Sequence, residues 1–264
     1  MIGLIAGSGK LPCLFAKRVK EKKEKLVVVA LKNEANPADY KFADKVYIER
    51  VENLSGQIKV FKKEKVRDAV MLGKIKKVNL FSGGIPDLRI LKLFLLLKDR
   101  KDSTLLTAII KEFARKGIRI ISPLKYLRTE IPQRGVLTRR RPNKEEMENI
   151  KFGFPLAKKL ADMDIGQTLV VKNKMVLVVE AIEGTNEAIR RSGKFTRGRG
   201  ICIKAARTKQ DFRMDIPVVG IETVKALKKA GITCLAIEAD KMLMPGKEKV
   251  KNFADKKGIS IIAL

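Results

Sequence analysis

The sequence predicts an α/β protein whose N-terminal part is a parallel, doubly wound sheet, and three observations predict it. Short apolar runs alternate with stretches of helical periodicity; glycines mark the first strand-to-helix turn; and a basic stretch containing Pro132, Gly135 and Pro142 separates this alternation from a second one. Strands separated by helices imply right-handed crossovers, which lay successive strands parallel in one sheet.

In chain order, residues 2–6 read as a strand, 11–23 as a helix, 25–31 as a strand, 55–64 as a helix and 68–72 as a strand. A helix over 102–116 leads to a strand at 118–122. From 129 to 149 the pattern lapses into prolines, a glycine and the run Arg139-Arg140-Arg141, a linker composition. The expected division is therefore a domain over 1–130, a linker over 131–148 and a second domain over 149–264. Residues 145–162 look helical, with a break at Gly153 to Pro155 because an interior proline lacks the N–H and crowds the preceding turn. Strands at 168–172 and 175–181 flank Lys172-Asn173-Lys174 as a hairpin. A short helix at 186–192, a strand at 201–205, a helix at 221–229 and terminal strands near 234–238 and 259–264 complete the second domain.

Composition removes whole classes of chemistry. The chain has no histidine, so imidazole bases, relays and metal ligands are excluded, leaving Asp and Glu as general bases. Cys13, Cys202 and Cys234 lie too far apart for a CxxC motif and too few for a disulfide framework, so they read as reduced core residues. The first residues lack the basic leader and long apolar core of a signal peptide, and no apolar run is long enough to span a bilayer. A cytoplasmic protein is expected. Lys and Arg number 58 against 29 Asp and Glu, a net charge of +29 that implies anionic partners or a simply solvated basic surface. Nucleic acid is disfavoured: tryptophan is absent, aromatic content is 5%, and the basic residues lack interleaved aromatics for base stacking.

Gly7 and Gly9 lie between the first strand, which contains Gly3, and the first helix. Backbone N–H groups at Gly7, Ser8 and Gly9 could approach a phosphate at a helix start, or the segment could be a bare turn. It fails the dinucleotide fingerprint, with Pro12 in place of the third glycine and Leu31 in place of the acid, and it fails the Walker pattern at Leu4 and Leu11. The apolar stretch 85–98 reads as a buried or dimer-forming helix, with a wall for acyl chains as the alternative. Asp102 reads as an N-cap, although the amides it would satisfy could instead serve an anionic ligand. Carboxylates gather in two glycine-punctuated segments. Glu180 and Glu183 end a strand, and Asp211 and Asp215 occupy a loop stiffened by Pro217. Oxygen-rich clusters without histidine suit magnesium or manganese.

Four motifs occur in the order and approximate spacing of a known family: Gly3-Leu-Ile-Ala-Gly-Ser-Gly-Lys-Leu-Pro12, Asp164-Ile-Gly-Gln167, Val179-Glu-Ala-Ile-Glu-Gly-Thr185 and Asp215-Ile-Pro-Val-Val-Gly220. The chain resembles the LpxI family, the UDP-2,3-diacylglucosamine pyrophosphatases of lipid A synthesis, over nearly its whole length. The resemblance implies an N-terminal Rossmann-like parallel-sheet domain and a distinct C-terminal α/β domain, with the lipid-sugar held between them and hinge motion about the linker. It implies magnesium-dependent hydrolysis, with manganese as a substitute, at the α-phosphorus of UDP-2,3-diacylglucosamine, yielding UMP and 2,3-diacylglucosamine 1-phosphate (lipid X). Asp215 matches the family's essential aspartate and is expected to hold the metal or orient water, with Glu183 or Asp211 assisting; Asp215 and Glu183 are the candidate metal ligands. Candidate substrate-binding residues are Gly7, Ser8, Gly9, Asp102, Gln167, Gly184, Thr185 and Gln210, with Arg190, Arg191 and Lys204 for the pyrophosphate charge. An amphiphilic substrate further implies peripheral association with the anionic cytoplasmic face of the inner membrane. The chain departs from the family pattern at Asn186, at Asp240 and over Ala206-Arg-Thr-Lys209. A nucleotide-binding oxidoreductase, or a non-catalytic binder of anionic lipid or nucleic acid, are the alternative classes.

Overall fold

The computed structural model describes residues 1–75 and 102–264. The expected apolar helix at 85–98 lies outside the described residues, as does the side chain of Asp102. The described chain forms two compact units, one comprising Met1–Leu127 with Phe212–Met214 and the other Arg128–Asp211 with Asp215–Leu264.

The first unit is built on a five-stranded sheet ordered β3-β2-β1-β4-β5. Strands β1 (Ile2–Ala6) and β2 (Leu26–Leu31) are continuous apolar runs buried at every position, as central strands of a sheet covered on both faces must be. They pair in parallel, and β4 (Asp68–Leu72) pairs in parallel with β1 on the other side. The short β5 (Arg119–Ile120) continues in the same sense. Helix α1 (Lys10–Glu21) buries Pro12, Phe15, Ala16 and Val19, and Phe15 meets Tyr126 edge-on with ring centroids 5.1 Å apart. Helix α2 (Leu54–Lys63) starts at Asn53, whose side chain accepts the Gly56 N–H, and helix α3 spans Asp102–Arg115. Strand β3 (Lys45–Glu49) was not expected: as an edge strand with exposed lysine, valine and isoleucine it lacks the apolar continuity of its neighbours.

The second unit is a six-stranded mixed sheet ordered β6-β11-β10-β9-β7-β8. Strands β9 (Gly200–Lys204), β10 (Ile232–Ile237) and β11 (Ser260–Ala263) run parallel, flanked by the antiparallel hairpin β7 (Thr168–Lys172) and β8 (Met175–Val179) on one side and by β6 (Gly135–Val136) on the other. One face carries a core including Val170, Ile189, Leu227 and Ile261. The other packs Ile150 and Ala157 of helix α4 (Lys144–Asp162) on Leu169, Val171, Ile203 and Ala236.

Three expectations need correction here. Helix α4 runs unbroken through Pro155. Gly153 serves packing, not a break: a Cβ there would fall 2.4 Å from Ile203 Cδ1 and 2.8 Å from Val171 Cγ2, so any larger residue would force those side chains to shift. The expected linker carries β6 and the first turn of α4, whose Asn143 and Glu146 form a reciprocal capping box. Its Arg140 is structural, donating to both oxygens of Glu146 at 2.8 and 2.9 Å. The short helix expected at 186–192 is α5 (Thr185–Thr196), and after α6 (Ile221–Lys229) an unforeseen α7 spans Lys247–Lys256, burying only Val250 and Ala254.

Candidate functional site

Antiparallel pairing of β7 with β9 sets Thr168 opposite Lys204, while parallel pairing of β9 with β10 sets Lys204 beside Ile237. The start of β7, the end of β8 and the carboxyl ends of β9 and β10 therefore meet at one edge of the sheet. In open α/β sheets this is the edge where ligands bind. Gln167, Glu180, Lys204 and Glu238 are brought to it from positions scattered along the chain.

Lys204 is buried, and its ammonium donates to Thr185 Oγ1 at 2.7 Å and Thr168 Oγ1 at 3.2 Å. The Thr185 hydroxyl donates in turn to Glu180 Oε1 at 2.9 Å. Glu180 Oε2 is buried without a hydrogen-bond donor, 3.9 Å from Lys204 Nζ. The lysine charge is thus fixed by two hydroxyls and a counter-ion, held rigid where a flexible surface lysine would swing. The loop before β7 is equally constrained. Any Cβ at Gly166 would lie 2.0 Å from the Glu180 carbonyl oxygen.

Asp215 is exposed on the loop after Asp211. Its Oδ2 accepts from Gln167 Nε2 at 2.9 Å, its backbone oxygen accepts from Gln210 Nε2 at 2.7 Å, and its N–H donates to the Asp211 carbonyl at 3.3 Å. Gln210 also accepts the Arg207 N–H at 3.1 Å, tying Asp215 to the end of the preceding loop. The structure therefore joins Asp215, Asp211, Gln167 and Gln210, and separately joins Lys204 and Thr185.

The remaining candidates have other partners. Glu183 pairs with Arg191 at 2.6 Å and accepts the Ala181 N–H at 3.1 Å. Backbone N–H donors, its own first, and the Arg191 guanidinium hold its carboxyl below the usual range. Arg190 pairs with Glu187 one turn earlier on α5. Gly184 takes φ 81° as the N-cap of α5, a position that offers no side-chain cap. In the first unit, Gly7 donates its N–H to the Leu72 carbonyl, and Ser8 spends both its N–H and its hydroxyl on the Lys74 carbonyl, each at 2.8 Å. Those two amides are committed to the fold. Gly9, at φ 105° before α1, has no heavy atom near its would-be Cβ.

Among the described residues, no group of three or more Asp, Glu or Cys side chains is gathered closely enough to enclose a metal ion. Magnesium needs no such cage, since it keeps several waters and takes one or two carboxylates plus substrate phosphates. Asp215, exposed at the strand edge, fits that limited role; Glu183 already spends its oxygens on Arg191 and the Ala181 N–H.

The sequence marks Glu180 as a carboxylate at a strand end without its partners Lys204 and Thr185, and it does not single out Thr168, Glu238, Lys158 or Asp162. The available signal was positional: Glu180 and Glu238 each directly follow an apolar strand, where a carboxylate needs partners.

A parallel-stranded first unit and a mixed-sheet second unit with a polar network at its strand ends define a two-domain α/β protein. The family model described as the LpxI N-terminal domain matches residues 1–129, and that for the LpxI C-terminal domain matches 133–262. The chain belongs to the LpxI family. It is 29% identical over 276 aligned positions, covering 100% of this chain and 97% of the relative, to a protein of Caulobacter vibrioides named UDP-2,3-diacylglucosamine pyrophosphatase LpxI. Among solved structures, the biotin carboxylase domain of a single-chain bacterial carboxylase aligns at TM-score 0.28 and 13% identity, over 60% of this chain and 34% of that one. Glycinamide-RNase-transformylase T from Mycobacterium tuberculosis aligns at 0.26 and 10%, over 69% and 44%. Neither likeness bears on the fold or the site.

Proposed function

We propose that this protein hydrolyses the pyrophosphate of UDP-2,3-diacylglucosamine to UMP and 2,3-diacylglucosamine 1-phosphate. The observation that carries the reading is the end-to-end likeness to a relative bearing that name, with Asp215 held by Gln167 and Gln210 at a strand edge. A water oxygen bonds to the α-phosphorus, the bond from that phosphorus to the bridging oxygen breaks, and the bridging oxygen leaves on the sugar 1-phosphate. Asp215 orients the water and takes its proton. Lys204, anchored by Thr168 and Thr185, provides fixed positive charge toward the pyrophosphate. Magnesium, with manganese as a substitute, would be held by Asp215 and would neutralise charge on the phosphate oxygens. The basic surface draws the protein to anionic lipid on the cytoplasmic face of the inner membrane.

Turnover in water enriched in oxygen-18 tests both reaction and position. Label in UMP supports attack at the α-phosphorus; label in the sugar 1-phosphate moves the attack to the β-phosphorus; no UMP above the uncatalysed background contradicts the reading.

A further inference from the structure

The segment Ala206–Gln210, between β9 and Asp215, forms no regular element, yet three consecutive residues are gripped by side chains from elsewhere. Glu238, just past β10, accepts the Ala206 N–H at 2.9 Å, while Lys158 of α4 donates to the Ala206 carbonyl at 2.7 Å. Lys158 and Glu238 also pair with each other at 2.9 Å, and Lys241 pairs with Glu238 at 2.9 Å. Arg207 is ion-paired to Asp164. Thr208 donates its N–H and hydroxyl to the two oxygens of Asp162, at 2.6 and 2.7 Å. Downstream, Gln210 accepts from Arg207 N–H and donates to the Asp215 carbonyl.

We propose that the Lys158–Glu238 pair, assisted by Asp162, is a positioning device that sets the 206–210 segment and, through Gln210, the location of Asp215. The pair brackets both polar groups of one buried peptide residue, Ala206. That is more than a salt bridge contributes by itself, because it fixes the direction in which the chain leaves the sheet. Although burial pushes the Glu238 carboxyl up, hydrogen bonds from Lys241, Lys158 and the Ala206 N–H outweigh it and hold the group ionised. The role in turnover rests on the hydrolase reading above; the mechanical role does not.

The test is a double-mutant cycle on the full chain with UDP-2,3-diacylglucosamine as substrate, accompanied by hydrogen exchange. Glu238→Gln is expected to lower kcat about 10-fold with KM within about 3-fold, and to cost less than about 3-fold in a Gln210→Ala background, because coupled residues are non-additive. Losses that simply multiply, or an unchanged kcat, overturn the proposal. If Glu238→Gln does not fold, Asp162→Ala carries the same cycle, since that carboxylate is exposed. If the wild type releases no UMP, the hydrolase reading fails and exchange decides the mechanical claim. Amides of 206–210 should then exchange at least about 5-fold faster in the variant with β9 and β10 unchanged; equal protection overturns it.

Discussion

The side-chain amide of Gln167 donates to Asp215 Oδ2 across 2.9 Å, linking residues 48 positions apart. Gln167 immediately precedes β7, and its carbonyl accepts the Ala205 N–H at 2.9 Å, so its backbone is pinned to the sheet. The carboxylate is thereby referenced to the sheet of the second unit.

Replacing Gln167 with alanine should reduce kcat by about 10- to 100-fold with a smaller change in KM, because an orienting bond matters most in the transition state. Gln167→Glu should be worse, since it faces Asp215 with a like charge. Steady-state kinetics of both variants check this.

Lys204 and Glu180 separate stability from activity. Lys204→Met leaves the Glu180 carboxylate buried without its counter-ion, and should cost about 3–5 kcal/mol of stability in urea unfolding. Adding Glu180→Gln should restore much of that stability without restoring turnover, since the charge toward the pyrophosphate is still missing. Recovery of activity with stability would show Lys204 to be structural only.

Acid should destabilise the second unit partly through Glu146. Burial pushes its carboxyl up, but hydrogen bonds from Arg140, Thr233 and the Asn143 N–H outweigh burial and hold it below the usual range. A depressed folded-state value means the contribution is fully present above the unfolded value of about 4.3 and is lost as pH falls through the folded one. Urea midpoints of wild type and Glu146→Gln should therefore differ at neutral pH and converge as pH drops below about 4.

Continuous apolar runs and their alternation with helices made the cores of both sheets legible, because β1, β2, β9 and β10 are covered on both faces and the sequence pattern records that burial directly. Edge strand β3 and lysine-rich α7 were not legible, as each buries too little apolar surface to impose a period. Pro155 stands inside α4 although local propensity would end a helix there, and the closeness of Gly153 to Ile203 and Val171 of the sheet is not written in the local pattern. Asp215 was reached through a motif, with Gln167 and Gln210 in flanking segments. The Lys158–Glu238 pair was out of reach: its members are 80 positions apart and meet only through the topology of α4 over β10.

Binding to anionic vesicles should be electrostatic. None of the described helices is long and apolar enough to cross a membrane. Association driven by a net charge of +29 should sediment the protein with anionic vesicles at low salt and release it as screening grows. Salt-insensitive sedimentation would point to apolar insertion instead.

The central claim, that Asp215 carries a metal-assisted pyrophosphate hydrolysis, is tested most directly by UMP release from UDP-2,3-diacylglucosamine with magnesium or EDTA, beside Asp215→Ala. The account predicts release that needs magnesium and falls at least about 100-fold in the variant, whose exposed position spares the fold. Turnover by Asp215→Ala within a few-fold of wild type, or full activity in EDTA, would contradict it.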